Sequence, residues 1–144
     1  MNATSAAVAG AVTFVWLGMV LAISFLEAPL KFRAPGVTIP IGLGIGRIVF
    51  RALNRVEAVL ALAVIVAVAT GGPDAPVIAF TAVAVVVLAA QLAVVRPRLN
   101  QRSDRVLSGA DPAPRRSHAH LYYVGLEIVK VLALIALGCA VLAA

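Results

Sequence analysis

Charged side chains are rare in this chain of 144 residues: they make up 12% of it, against 62% for hydrophobic side chains. A soluble domain usually carries about 25% charged residues. The composition therefore excludes a water-soluble globular domain, a disordered tail and a collagen-like chain. The 12 basic residues outnumber the 6 acidic ones. In so apolar a chain this surplus indicates membrane topology rather than nucleic-acid binding.

Cysteine and metal-ligand clusters are almost absent as well. Cys139 is the one cysteine, so no internal disulfide can form. Residues 1–9 contain no Lys or Arg, unlike the basic start of a secretory signal, so we interpret the first apolar segment as part of the mature protein. His118 and His120 have no third ligand nearby in the sequence, and we predict neither a metal site nor a cofactor.

Four long apolar segments fill the chain. A spanning helix needs roughly 20 apolar residues, and segments this long and apolar favour helices over buried strands. We predict an all-α polytopic membrane protein, a single four-helix transmembrane bundle over residues 1–144. Its predicted helices cover about residues 6–29, 43–70, 75–95 and 118–143. A Gly-Gly-Pro-Asp turn at 71–74 and a polar loop at 96–116 would separate the later helices.

Residues 34–46, between helices one and two, are uncharged and rich in glycine and proline. They do not form a dinucleotide-binding fingerprint, because the G-x-G-x-x-G spacing and the strand–helix context are absent. Two interpretations stay open. The glycines let helices approach closely, or the segment dips into the membrane with its backbone satisfied by protein or water.

The basic residues predict the orientation. All twelve lie in or beside the connections between helices one and two and between helices three and four. The connection between helices two and three carries only Asp74, and both chain ends lack charged side chains. By the positive-inside rule the basic side is cytoplasmic. We therefore expect a protein of the cell (inner) membrane with both termini on the outer side.

Ionisable residues within the apolar segments predict the site, because each is costly in a membrane unless paired or hydrated. Helical spacing places one polar stripe on helix two, within 47–57, and one on helix four, within 120–130. The predicted ligand-binding residues are Glu27, Lys31, Arg47, Arg51, Asn54, Glu57, His120, Tyr123, Glu127 and Lys130. We hypothesise that the stripes face each other and line a polar pocket open to the cytoplasm.

A purely structural interpretation stands beside this hypothesis. Basic side chains near helix ends can extend to lipid head groups, and buried acid–base pairs can serve only to fix helix register. For Glu57 and Glu127 both interpretations stay open.

Three short motifs mark the first two helices: Trp16-Leu17-Gly18, Ala28-Pro29-Leu30-Lys31-Phe32, and Gly46-Arg47-Ile48-Val49-Phe50 with Leu53 and Glu57 after it. Together they resemble a family of small four-helix membrane proteins of unknown function, related to an animal transmembrane protein linked to platinum-drug resistance. A histidine that opens helix four, His118 or His120, fits the same family. This resemblance implies a four-helix membrane fold and carries no reaction and no catalytic residue.

A second resemblance lies within helix two. Residues 51–57 resemble the R-A-x-x-N-x-x-E signature of membrane-associated eicosanoid and glutathione enzymes, although Asn54 follows Arg51 by three positions rather than four. The resemblance implies that Arg51, Asn54 and Glu57 bind a glutathione-like tripeptide.

The leading functional prediction is a non-enzymatic membrane protein. It would bind a lipid or a hydrophobic anionic ligand in the cytoplasm-facing pocket. An accessory subunit of a membrane complex is one role that such a protein could have. The alternatives are a glutathione-type transferase or isomerase and a small transporter. The expected partners are membrane lipids and, because so small a bundle buries little surface, further copies of the chain or a larger membrane complex. We expect no nucleic-acid partner.

Overall fold

Four long helices make up most of the chain that the structure describes. The structure is a computed structural model that describes residues 1–109 and 118–144. Helix α1 runs from Ala3 to Arg33 and consists of an α-helical part, Ala3–Val20, a π-helical part, Leu21–Glu27, and tighter turns to Arg33. Helix α2 covers Ile39–Gly71. Helix α3 joins Ala75–Ala90 through a π-helical segment, Gln91–Val95, to Arg96–Leu107, and helix α4 covers His118–Leu142.

Local sequence explains where these helices begin and end. The side chain of Asn2 accepts a hydrogen bond of 2.9 Å from the Ser5 amide and so caps α1. Prolines occupy the first turns of α2 and α3, where a missing N–H costs nothing. Gly72, in the left-handed conformation at φ 68°, ends α2.

The helices form a bundle in which α1 packs against α2 and α4, and α3 packs against α4. Helices α2 and α3 meet more sparsely, so α2 and α4 lie diagonally across the bundle. All four helices are long and apolar enough to cross a membrane. Their outward faces carry large exposed hydrophobic side chains such as Val59, Val86 and Leu132. The apolar surface and the polar groups inside are typical of a bundle surrounded by lipid.

The two ends of the bundle differ in charge. One end, the basic end, holds the connection from α1 to α2 and the second half of α3, with Lys31 and Arg96 among its residues. The other end, the turn end, holds the α2–α3 turn and both chain termini. The Asn2 amide donates a hydrogen bond of 2.9 Å to the Gly71 carbonyl there, which fixes the start of α1 beside the end of α2.

The prediction of four apolar helices in an all-helical chain is confirmed, but three boundaries differ by four residues or more. Helix α1 continues to Arg33, beyond its predicted end at 29. Residues 34–38 form a short connection and α2 begins already at Ile39. Its glycines allow close packing, because a Cβ at Gly42 would lie 2.2 Å from the ring of Phe32. The predicted loop at 96–116 is wrong for its first part, since α3 continues to Leu107. Pro97 lies at the second position after the π-helical segment Gln91–Val95. Residues 110–117 lie outside the described residues.

Candidate functional site

A cluster of polar side chains lies in the centre of the bundle and joins all four helices. We call it the polar hub. Its members are Trp16 and Ser24 of α1, Glu57 of α2, Gln91 of α3, and Glu127 and Lys130 of α4. All of them except Ser24 are at most 2% exposed. Because α2 and α4 are diagonal in the bundle, Glu57 and Lys130 can meet only on its axis.

The Lys130 ammonium group is the centre of the hub. Its Nζ donates a hydrogen bond of 2.5 Å to Glu57 Oε1 and one of 2.9 Å to Gln91 Oε1. It also lies 3.0 Å from Glu127 Oε2. An ammonium group has three donors, and two of them have hydrogen-bond acceptors here, while the ion pair with Glu127 supplies a second counter-charge. The buried positive charge is thus paired, as burial of a charge requires.

The two carboxylates of the hub receive further donors from neighbouring helices. Trp16 Nε1 donates to Glu57 Oε1 at 2.9 Å. Ser24 Oγ donates to Glu127 Oε1 at 2.6 Å, and Gln91 Nε2 donates to Glu127 Oε2 at 2.5 Å. Gln91 thereby links the acid and the base of α4. Glu57 Oε2 is buried without a hydrogen-bond partner among the described residues.

Helical geometry explains part of this arrangement. Glu127 and Lys130 are three residues apart and lie on one face of α4. Ser24 and Gln91 each lie in a π-helical segment. A π-helical turn changes which side chains point inward and often occurs at functional sites. Both π-helical segments therefore coincide with the places where α1 and α3 supply hydrogen bonds to Glu127.

A second cluster, the cation–aromatic layer, lies towards the basic end. It consists of Lys31, Phe32, Phe50, Arg96 and Tyr123. The Arg96 guanidinium group lies 4.5 Å from the Phe50 ring centre and 4.9 Å from that of Tyr123. It also donates a hydrogen bond of 3.1 Å to the Tyr123 hydroxyl. These contacts hold Arg96 in one position, because stacking and a hydrogen bond act on the same planar group.

An open groove of about 330 Å³ lies beside this layer, between α2 and α3. We call it the arginine groove. It is lined by Arg47, Arg51, Asn54, Arg55, Ala58, Leu92, Arg96 and Asn100. No acidic side chain lines it within the described part of the chain. Arg47 is paired with Asp104, whereas Arg51 and Arg55 are exposed.

The structure divides nine of the ten predicted site residues among three places. The hub contains Glu57, Glu127 and Lys130, and the arginine groove contains Arg47, Arg51 and Asn54. Tyr123 belongs to the cation–aromatic layer, as does Lys31, which pairs with Glu27 at 3.4 Å. The side chain of His120 lies outside the described residues. The polar stripes of α2 and α4 therefore meet at Glu57, while the arginines of α2 line the groove with α3.

Sequence reasoning missed several residues of these clusters. Gln91 could have been found from the sequence, because a lone glutamine in an apolar spanning segment needs a hydrogen-bond partner. Trp16 enters the sequence analysis only as part of a motif, whereas its indole N–H is the donor that reaches Glu57. Arg96 and Asn100 fell within the predicted loop, so their place on the wall of a groove was not foreseen.

Comparisons with protein-family models, with curated proteins and with solved structures found no match to this chain. The function is therefore argued from the geometry of the hub and the groove.

Proposed function

We propose that this chain is an integral membrane protein that binds an anionic amphiphile at its basic end. The head group lies in the arginine groove and the apolar tail follows the lipid-facing side of α2. Four helices of spanning length and an apolar outer surface support the membrane location. The basic end faces the cytoplasm in this proposal, by the positive-inside rule.

The observation that carries the proposal is the composition of the groove wall. Four arginines and two asparagines line the groove, and two apolar residues, Ala58 and Leu92, complete it. Several guanidinium groups at one groove whose lining holds no carboxylate favour an anionic ligand. Such a ligand would neutralise charges that otherwise repel one another.

The size of the groove supports a lipid head group rather than a whole lipid. Its volume of about 330 Å³ is at the lower limit of pockets for drug-sized ligands, which are roughly 300–1,000 Å³. Further along α2, Val59 and Leu62 are 67% and 61% exposed. An acyl chain attached to a head group in the groove would cover such side chains.

The hub serves this function as a scaffold. Its lysine is buried and directs its hydrogen bonds to Glu57 and Gln91, and Glu57 does not line the groove. The hub fixes the relative register of the four helices and so holds the groove walls in place. The same separation of Glu57 from Arg51 and Asn54 favours amphiphile binding over a tripeptide held by all three residues.

The test measures lipid binding by purified protein in detergent micelles. We expect phosphatidylglycerol, an anionic lipid, to bind more tightly than zwitterionic phosphatidylcholine with the same acyl chains. The variant Arg51→Gln/Arg55→Gln should lose this preference. The matched control Arg33→Gln/Arg98→Gln removes two exposed charges at the same end but outside the groove, and it should retain the preference. Equal binding of both lipids by the unmodified protein would overturn the proposal.

A further inference from the structure

The arginine groove carries more positive charge than a singly charged ligand neutralises. Of its four arginines, Arg47 is paired with Asp104. Arg51, Arg55 and Arg96 take part in no ion pair within the described residues. Three guanidinium groups therefore remain at one groove. A ligand with two or more negative charges would balance them better than a carboxylate or a phosphodiester.

The three arginines approach the groove from two walls. Arg51 and Arg55 are one turn apart on α2, about 6 Å along the helix axis, and Arg96 belongs to α3. A guanidinium group binds phosphate through two parallel N–H···O hydrogen bonds. A tetrahedral phosphate with three terminal oxygens can accept such bonds from both walls at once, whereas a planar carboxylate offers only two oxygens.

Arg96 is prepared for such a ligand. The rings of Phe50 and Tyr123 hold its guanidinium group, and one of its terminal nitrogens donates to the Tyr123 hydroxyl. Its Nε is buried with no hydrogen-bond partner among the described residues. A side chain already fixed in position loses little entropy on binding. Arg96 thus provides a rigid wall opposite the two exposed arginines.

Two amides complete the donor set. Asn54 on α2 and Asn100 on α3 line the groove from opposite sides. Their NH₂ groups donate to phosphate oxygens, and their carbonyl groups accept from a hydroxyl or phosphate proton. The lining combines positive charge on both walls with neutral donors, and it matches a phosphate group more closely than a carboxylate.

We propose that the arginine groove binds a terminal phosphate, a phosphomonoester or diphosphate head group with at least two negative charges, in preference to a singly charged phosphodiester. This inference rests on the proposed function and specifies its ligand. The phosphate chemistry is shared by a phosphorylated lipid and by a soluble phosphate ester. Only the lipid gains the contact of an apolar tail with α2.

The experiment compares four ligands on the purified protein in detergent micelles, at a pH of about 8. They are phosphatidic acid, phosphatidylglycerol and phosphatidylcholine with identical acyl chains, and glycerol 3-phosphate as the soluble phosphate. We expect phosphatidic acid to bind about tenfold more tightly than phosphatidylglycerol, because its extra charge engages a further guanidinium group. The difference should shrink as salt is added, since the arginines are accessible to counter-ions.

Two variants and a pH change test the cause of the preference. Arg51→Gln/Arg55→Gln should bind phosphatidic acid and phosphatidylglycerol equally, and Arg33→Gln/Arg98→Gln should retain the tenfold difference. At a pH of about 5 the phosphomonoester loses its second charge, because its second pKa is near 6. The preference should then disappear. The groove itself is lined by arginine, asparagine and apolar side chains, with no histidine or carboxylate in its lining among the described residues.

The outcomes separate this inference from the proposed function. If phosphatidic acid and phosphatidylglycerol bind with equal affinity, and both bind more tightly than phosphatidylcholine, the terminal-phosphate inference is overturned. The proposed binding of an anionic amphiphile then still stands. If neither anionic lipid binds more tightly than phosphatidylcholine, both the proposed function and the terminal-phosphate inference are overturned. If glycerol 3-phosphate binds as tightly as phosphatidic acid, the result supports recognition of a phosphate group and overturns the proposal that the ligand is an amphiphile.

Discussion

Lys130 is the residue on which the hub depends, because its ammonium group alone contacts both buried carboxylates. The variant Lys130→Met keeps the length and removes the charge. Glu57 and Glu127 would then be buried without a counter-charge, and we expect a loss of about 3–5 kcal/mol in the free energy of unfolding. Urea unfolding in detergent micelles measures it.

The control for this prediction is Arg98→Met, which removes an exposed positive charge from α3 and should change the stability by less than about 0.5 kcal/mol. In the background of Lys130→Met, the further change Glu57→Gln should restore part of the loss, since it removes one of the unpaired charges. A Lys130→Met protein as stable as the unmodified chain would show that the hub does not stabilise the fold.

Trp16 gives a second test at the residue scale, because its ring and its N–H act separately. The ring is fully buried in the apolar core, and the N–H donates to Glu57. Trp16→Phe keeps an aromatic ring and removes the donor. We expect a loss of about 1.5–3 kcal/mol, the usual contribution of a hydrogen bond to a charged group.

A double-mutant cycle with Glu57→Gln isolates that hydrogen bond from the change in ring size. The cost of Trp16→Phe should be smaller in the Glu57→Gln background, because the acceptor there is uncharged. An identical cost in both backgrounds would assign the loss to packing alone.

At the scale of single helices, the sequence predicts what depends on spacing within one helix. Apolar segments longer than roughly 20 residues indicate spanning helices, and all four are present. Contacts between residues three or four apart are equally local. Glu27–Lys31 and Glu127–Lys130 both form as ion pairs.

The partners that come from other helices were not predictable in the same way. The contacts of Trp16 with Glu57 and of Gln91 with Lys130 depend on how α1 and α3 are rotated in the bundle. Two π-helical segments alter that rotation, and no turn or capping residue in the sequence predicts where they occur. The groove between α2 and α3 was missed for a related reason: two of its eight lining residues, Arg96 and Asn100, were assigned to a loop.

The start of α2 offers a prediction at this same scale, with a control two residues away. A Cβ at Gly42 would lie 2.2 Å from the Phe32 ring, whereas a Cβ at Gly44 meets nothing within 4 Å. Gly42→Ala should therefore displace Phe32 and lower the free energy of unfolding by about 1–3 kcal/mol. Gly44→Ala should be neutral or slightly stabilising, because alanine favours a helix over glycine.

Thermal unfolding of the two alanine variants in the same detergent compares them directly. If Gly42→Ala melts at the same temperature as Gly44→Ala, then Phe32 moves without cost and the close packing of α1 on α2 is not a requirement of the fold.

At the scale of the whole molecule, the ionisable groups that contact one another between the helices lie in one half of the bundle. Three acids lie within or at the end of a spanning helix, and three bases contact them or their neighbours. The acids are Glu27, Glu57 and Glu127, and the bases are Lys31, Arg96 and Lys130. All of these groups occupy the half of the bundle that leads to the basic end. The turn-end half is held by apolar packing of residues such as Val64, Leu134 and Leu137. The charged groups of the core are thus confined to one half, and the other half is packed mainly by apolar side chains.

This asymmetry predicts the orientation of the protein in a membrane. Basic side chains of short connections stay on the cytoplasmic side, so the turn end and both termini should lie outside. Cysteine labelling tests this in intact cells, in the background Cys139→Ser, because Cys139 is exposed. A membrane-impermeant thiol reagent should label Asp74→Cys, at the turn end, and spare Ser108→Cys, at the end of α3. After the cells are opened, both positions should react. Labelling of Ser108→Cys in intact cells, with Asp74→Cys protected, would reverse the topology and would place the arginine groove on the outer side of the membrane, where the ligand would have to come from the outer leaflet or the surrounding medium.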